Sequence, residues 1–165
     1  MIGYITTTEQ GATDRILEQA ATRFCKNGVN VVGAVQRNHE RKDNTRAKMI
    51  LDVLNTDKTF TISQNLGPHA SGCRLDPDAL ETAVQIVWTG LDQPRDLLLL
   101  NKFGKQERDG QGFRDVIVKA LDNDVPVLIG VNETIEPAFI AFAGDFAEKL
   151  DPTVESIETW VGQFA

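Results

Sequence analysis

The chain predicts an α/β fold: a mostly parallel sheet flanked by helices and extended by an antiparallel hairpin, in one domain over residues 1–165. Three observations carry that prediction. A strand, a helix and a second strand follow one another within residues 1–35, which is a βαβ unit with a right-handed crossover. Four consecutive leucines, Leu97, Leu98, Leu99 and Leu100, run into Asn101-Lys102-Phe103-Gly104-Lys105-Gln106-Glu107, the pattern of a buried parallel strand ending in a charged loop. Two short runs, residues 49–54 and 59–64, are joined by Asn55-Thr56-Asp57-Lys58 and read as the hairpin.

Each element has its own signal. Residues 1–7 form a first buried strand, and the polar turn after it leads into a helix over residues 13–26. Ile16, Leu17, Ala20, Ala21 and Phe24 recur there at helical spacing, and Asn27-Gly28 suits the left-handed stop. Cys25 reads as a small buried apolar residue on that helix. The β-branched run at residues 29–35 is the second strand. Asp76-Pro77 opens the next helix, with Asp capping free amides and Pro at the first helical position; Leu80, Ala83, Val84 and Val87 face inward. After the leucine strand, residues 112–121 read as a helix burying Phe113, Val116, Ile117 and Ala120. Residues 125–131 are a strand that tolerates Pro126 only at its start. A short apolar segment covers residues 138–143, and a last helix begins at Asp151-Pro152 and buries Val154, Ile157, Trp160 and Val161.

Composition bounds the function. No apolar run approaches the ~20 residues that span a bilayer, and the N-terminus lacks a basic segment followed by a long apolar one. Two cysteines are too few for a disulfide framework. A cytoplasmic protein with no membrane partner is expected. The net charge of −7 argues against nucleic acid as a partner. Within residues 37–48, however, Arg37, Arg41, Lys42, Arg46 and Lys48 outweigh Glu40 and Asp43 by +3, leaving −10 for the rest. Such a segment is either a small-anion site or a solvated loop.

In open α/β sheets ligands bind beyond the carboxyl ends of the strands. Asn101, Lys102, Lys105 and Glu107 lie at one such end and residues 6–13 at another. The latter occupy the place of a phosphate-binding P-loop, which needs glycines for a backbone cradle, a lysine for phosphate charge and a Ser or Thr for magnesium. Gly11 and Thr13 are kept, but Thr6 replaces the first glycine and Ala12 the lysine. Thr6, Thr7, Thr8, Gly11, Ala12 and Thr13 can still offer amides and hydroxyls to an anion. Arg37, Arg41, Arg74 and Lys105 can supply forked and point-charge donors, with Cys73 beside Arg74. His69 and Cys73, with Cys25 or His39, are a conceivable soft-metal set, but no second paired motif supports it and no metal is assigned.

The order of elements resembles the small P-loop nucleoside-triphosphatases of the thermophile and cancer-related type. That resemblance implies a three-layer P-loop-NTPase-like fold. In those enzymes the strand matching the leucine run ends in an acidic magnesium-binding motif. Here Gly104 and Glu107 match it, while Asn101 replaces the metal-binding Asp and Lys102 the Glu beside it. A closer resemblance, carried by Gly33-Ala34-Val35-Gln36, Gly72-Cys73-Arg74-Leu75-Asp76-Pro77 and Asn101-Lys102-Phe103-Gly104-Lys105, is to a bacterial family of uncharacterised domains related to those enzymes and often encoded near molybdate-transport genes.

Phosphoryl transfer rests on positioning and on charge neutralisation by lysine and Mg²⁺. A chain with Ala12 and Asn101 at those places is expected to bind an anion without hydrolysing a nucleotide, and magnesium is not an expected cofactor. The ligand expected is a nucleotide, phosphate, or an oxyanion such as molybdate or tungstate, which would place the protein in molybdenum homeostasis. Asn101 would orient that ligand. One alternative is an active nucleoside-triphosphatase in which Glu107 activates water and Arg15 replaces the lysine. Another is a protein-interaction or accessory module, including a homo-oligomer, that uses the cleft only structurally.

Overall fold

The computed structural model describes residues 1–39, 48–64 and 75–164, with the backbone alone for residues 38 and 39. Arg41, Lys42, Arg46, His69, Cys73 and Arg74, and the side chain of His39, lie outside the described residues.

Among the described residues, seven strands form one sheet: β1 (Ile2–Ile5), β2 (Val31–His39), β3 (Lys48–Val53), β4 (Thr59–Thr61), β5 (Leu97–Phe103), β6 (Val127–Val131) and β7 (Ala147–Lys149). Their spatial order is β4-β3-β2-β5-β6-β1-β7. The neighbours from β2 to β7 run parallel, whereas β3 and β4 are antiparallel additions beyond β2. The mostly parallel sheet with an antiparallel extension is therefore the observed fold. The extension is larger than one hairpin, because β2 continues to His39 and pairs with β3 from Ala34↔Val53 to His39↔Lys48. Arg37 thus stands on a strand rather than in a basic loop.

The helices are α1 (Ala12–Lys26), α2 (Pro77–Gly90), α3 (Lys105–Arg108), α4 (Arg114–Asp122), α5 (Glu136–Ala143) and α6 (Val154–Val161). They divide the core in two. Leu97 and Leu99 pack with Leu17, Phe24, Ile157 and Trp160 on the α1–α6 face. Leu98 and Leu100 pack with Val84, Val87, Ile117 and Phe139 on the other. The period of two in a strand puts alternate leucines on opposite faces, so a sheet covered on both sides needs the uninterrupted apolar run. All four are at most 1% exposed, and each contributes on the order of 2 kcal/mol from burial. Two close approaches demand glycine. At Gly33, with φ +141°, a Cβ would fall 1.9 Å from the Leu99 carbonyl oxygen. At Gly130 it would fall 2.3 Å from the Asn101 carbonyl oxygen and 2.6 Å from Thr13 Cγ2, so this glycine lets the start of α1 settle onto the sheet.

Several local expectations change. The first strand stops at Ile5, and residues 105–108 coil into a short helix where a loop was expected. The apolar segment near the C-terminal end is helix α5, and β7 follows it. Thr153, not Asp151, caps α6, its side chain accepting from Ser156 N at 3.2 Å. Asp76 caps α2 as its sequence predicts, accepting from the amides of Asp78 and Ala79 at 3.1 Å. Cys25 is exposed rather than buried. Phe24 takes the inward position, and the next residue of a helix is rotated by about 100° towards solvent.

Candidate functional site

The carboxyl ends of β1, β2, β5 and β6 open into one cleft of about 1360 Å³. Its polar floor comes from the turn into α1 and the end of β5. The apolar side comes from Met49 and Leu51 on β3, Ile62 after β4, and Leu80 on α2. Of the residues singled out from the sequence, Thr7, Thr8, Gly11, Thr13, Arg37, Asn101, Lys102, Lys105 and Glu107 all line it. Thr6 and Ala12 are not lining residues. Thr6 keeps a buried hydroxyl with no partner among the described residues.

The turn into α1 is built as a backbone cradle. Gly11 has φ +77°, a left-handed conformation that glycine adopts without a steric penalty, and it caps α1 with no side-chain hydrogen bond. The Ala12 amide donates to Glu9 O at 3.2 Å, and the hydroxyls of Thr7 and Thr13 are hydrogen-bonded to each other at 2.8 Å. Arg15 also lines the cleft, where its guanidinium pairs with Glu9 in an exposed ion pair.

The charged side chains of the cleft differ in how they are engaged. Arg37 pairs with Asp52 on the neighbouring strand β3. Lys102 and Lys105 are exposed and make no ion pair among the described residues. Asp52 is only 17% exposed and also accepts from Thr59 at 2.9 Å, so Arg37 is held by a half-buried partner, whereas the two lysines need exchange nothing.

Asn101 and Glu107 are each 5% exposed, the buried polar side chains of the described residues. The Asn101 amide Nδ2 donates to Asp14 Oδ1 at 2.6 Å, while its Oδ1 is buried without a partner among the described residues. Glu107 is fully engaged: Oε2 accepts from Gly104 N at 2.8 Å and Oε1 from Phe113 N at 3.0 Å. Its carboxylate ties the start of α3 to the start of α4, and the Arg114 guanidinium donates to its backbone oxygen at 3.1 Å. Gly112, at φ +61°, makes room, since a Cβ there would meet Glu107 Oε1 at 2.3 Å.

Sequence reasoning passed over Asp14, Gln36 and Asn132, which also line the cleft. Asp14 had a signal. It is the third residue of α1, where an acid favours the helix dipole and projects toward the strand ends. Asn132 accepts from the Thr134 amide and hydroxyl at 2.9 and 2.8 Å, shaping the turn before α5. Its signal was only its place after a buried strand.

Fold and cleft together define an α/β protein of P-loop-NTPase-like fold with a cleft at the carboxyl ends of its parallel strands. The chain superimposes on the crystal structure of THEP1 from the hyperthermophile Aquifex aeolicus with a TM-score of 0.66, covering 100% of this chain and 97% of that one at 14% identity. Residues 2–160 match the family described as "Protein of unknown function (DUF2478)", and the chain belongs to that family. It is also 34% identical over 151 residues to the Bradyrhizobium diazoefficiens protein named "Molybdenum import ATP-binding protein ModC 2". That match takes in 92% of this chain but only 17% of the longer protein.

Proposed function

We propose that this protein is a nucleotide- or anion-binding relative of P-loop NTPases that does not hydrolyse its ligand, and that it serves molybdenum homeostasis. The observation that carries the reading is the juxtaposition of an α1 start without a side-chain cap and two lysines, Lys102 and Lys105, without ion-pair partners among the described residues, around one cleft. Backbone amides at a helix start and ammonium groups outside ion pairs both favour a negative ligand.

Absence of turnover is supported by three residues. Ala12 offers no charge to a phosphate, and Arg15, the nearest substitute, brings the carboxylate of its partner Glu9 to the cleft with it. Glu107 has both carboxylate oxygens on backbone amides, which leaves neither as a ready base for water. Magnesium–triphosphate fits these residues poorly. The end of β5 presents an amide in place of a carboxylate, and the described residues contain no group of three His, Cys, Asp or Glu able to hold a metal. The molybdenum assignment is supported by the similarity to part of a protein named for molybdenum import, and so is an accessory role beside such an ATP-binding protein.

A thermal-shift series tests the reading with ATP, GTP, phosphate, sulfate, molybdate and tungstate, each with and without magnesium. A ligand at a hundred times its Kd stabilises the folded state by about 2.7 kcal/mol, a readily measured shift. Stabilisation that falls in the double variant Lys102→Ala/Lys105→Ala, with no phosphate released from ATP or GTP, is the expected result. Magnesium-dependent phosphate release abolished in Glu107→Gln would establish the active enzyme instead.

A further inference from the structure

We infer that the groove between α2 and the start of α4 is a docking site for a basic amphipathic helix of a partner protein. Leu80 and Gln106 line both this groove and the cleft at the strand ends, but its chemistry is independent of the anion-binding reading.

The groove comes from how two helices meet. α2 and α4 are tied towards their C-terminal ends, where Lys119 donates to Trp88 O at 2.9 Å and Asn123 to Leu91 O at 3.1 Å. At their N-terminal ends Gly110, Gln111 and Gly112 help line the space between them, and a cavity of about 590 Å³ stays open. Leu80, Val84 and Trp88 follow one another at the one-turn spacing of α2 and form a single stripe along it. Leu80 and Val84 are at most 9% exposed, whereas Trp88 is 38% exposed. A groove with an apolar stripe is what an amphipathic helix covers, and tryptophan is among the residue types that most often anchor an interface.

Charge chooses the occupant. Asp78, Glu81 and Asp115 line the groove, and no described lysine or arginine does. None of the three is in an ion pair among the described residues. Lys119 stands over the Trp88 ring at 4.4 Å, but Asp92 already pairs with it at 2.6 Å. The helix dipole favours acids at Asp78 and Asp115, in the first turns of α2 and α4; Glu81 lies beyond that turn. Complementary potential at the rim selects partners, so apolar side chains flanked by lysine or arginine fit this surface. A second copy of the chain, with a net charge of −7, brings the opposite sign on average. A polypeptide occupant accords with the Bradyrhizobium relative, in which the matched unit is 17% of a longer chain.

Fluorescence tests this with a synthetic lysine–leucine peptide patterned as an amphipathic helix. A glutamate–leucine peptide with the same apolar face and spermine, a cation without one, are the comparison probes. The lysine–leucine peptide is expected to bind one to one and shift tryptophan emission to the blue, with Trp88 as reporter because Trp160 is 2% exposed. Glu81→Lys/Asp115→Asn should weaken that binding by at least about tenfold. Asp122→Lys/Asp145→Asn changes the net charge equally at exposed residues outside the groove and should alter it by less than about twofold. Should the first variant fold poorly, Glu81→Gln, at an exposed residue, applies the same test with an expected loss of about threefold. Equal weakening by the two charge variants overturns the inference, assigning the binding to overall charge. So do equal affinity for the glutamate–leucine peptide, unchanged emission as the lysine–leucine peptide binds, and no binding of that peptide at all. Spermine binding as tightly as the peptide would make the groove a small-cation site, and a dimer in sedimentation that Trp88→Ala disperses would make a second copy the occupant; either result overturns the inference.

Discussion

Asn101 and Glu107 stand six residues apart on either side of the end of β5, equally buried, and they have opposite hydrogen-bonding fates. Glu107 finds an amide for each carboxylate oxygen, whereas Asn101 gives one N–H to Asp14 and leaves its acceptor without a partner among the described residues. A buried polar group whose bonds are all made within the chain holds the chain together. One left half-made is either a defect or a place kept for something else. The comparison teaches that burial alone does not separate structural from functional polar residues; the account of partners does.

The largest effect that could break this contrast is at Glu107. Glu107→Ala strands the Gly104 and Phe113 amides and should destabilise the protein by about 3 kcal/mol in urea unfolding, with or without ligand. A variant that is normally stable yet fails to bind would reverse the roles assigned here. Next comes Gly112→Ala, which adds a Cβ 2.3 Å from Glu107 Oε1 at a φ of +61° and should cost about 2 kcal/mol. If Gly112→Ala costs nothing further in the Glu107→Ala background, the two act as one unit. Asn101→Leu sharpens the contrast from the other side. It removes an unsatisfied acceptor as well as one hydrogen bond, so its unfolding free energy should change by less than about 1 kcal/mol although the site is as buried as Glu107.

The smallest effect extends the rule to the far side of the sheet. The Tyr4 hydroxyl donates to Glu136 Oε1 at 2.9 Å, and Lys149 donates to the same oxygen at 2.8 Å. Burial, reinforced by that hydrogen bond and the Glu136 charge, pushes the Tyr4 phenol up to about 12, while the hydrogen bonds from Lys149 and Tyr4 hold the Glu136 carboxyl below its ordinary value. Tyr4 ionises less readily when folded, so its contribution is complete below pH 10.0 and is lost as the pH rises towards about 12. The Glu136 contribution runs the other way, present above its unfolded value and lost as acid protonates it. Unfolding midpoints followed from pH 9 to 11.5 should fall less steeply in Tyr4→Phe than in the natural protein.

How far the sequence could be read depended on whether the signal was local. Asp76-Pro77 announced its helix because a cap and its amides are two and three residues apart. The leucine run announced its strand because full burial on both faces leaves no room for polar alternation. Strand β7, Ala147–Lys149, left no trace, since its three residues are a strand only by pairing with β1. The same limit applied at the site. Residues 6–13 and 101–107 were legible as facing strand ends, but charge in a sequence does not say what it touches. Arg37 and Arg15 read as cations free for a ligand and are found paired with Asp52 and Glu9. Glu107 read as a candidate base and is found bonded to two amides.

By itself, then, the sequence determined the α/β class, the order of most elements and the two apolar faces, because these depend on periodicity and residue type along the chain. Only the tertiary structure decided that Asp14 takes the Asn101 donor, that Glu107 is spoken for, and that Lys102 and Lys105 make no ion pair among the described residues. Hydrogen-bond partners such as Asp14 and Asn101 lie on different elements, and no local rule fixes which two meet until the sheet has brought β1, β5 and α1 to one edge.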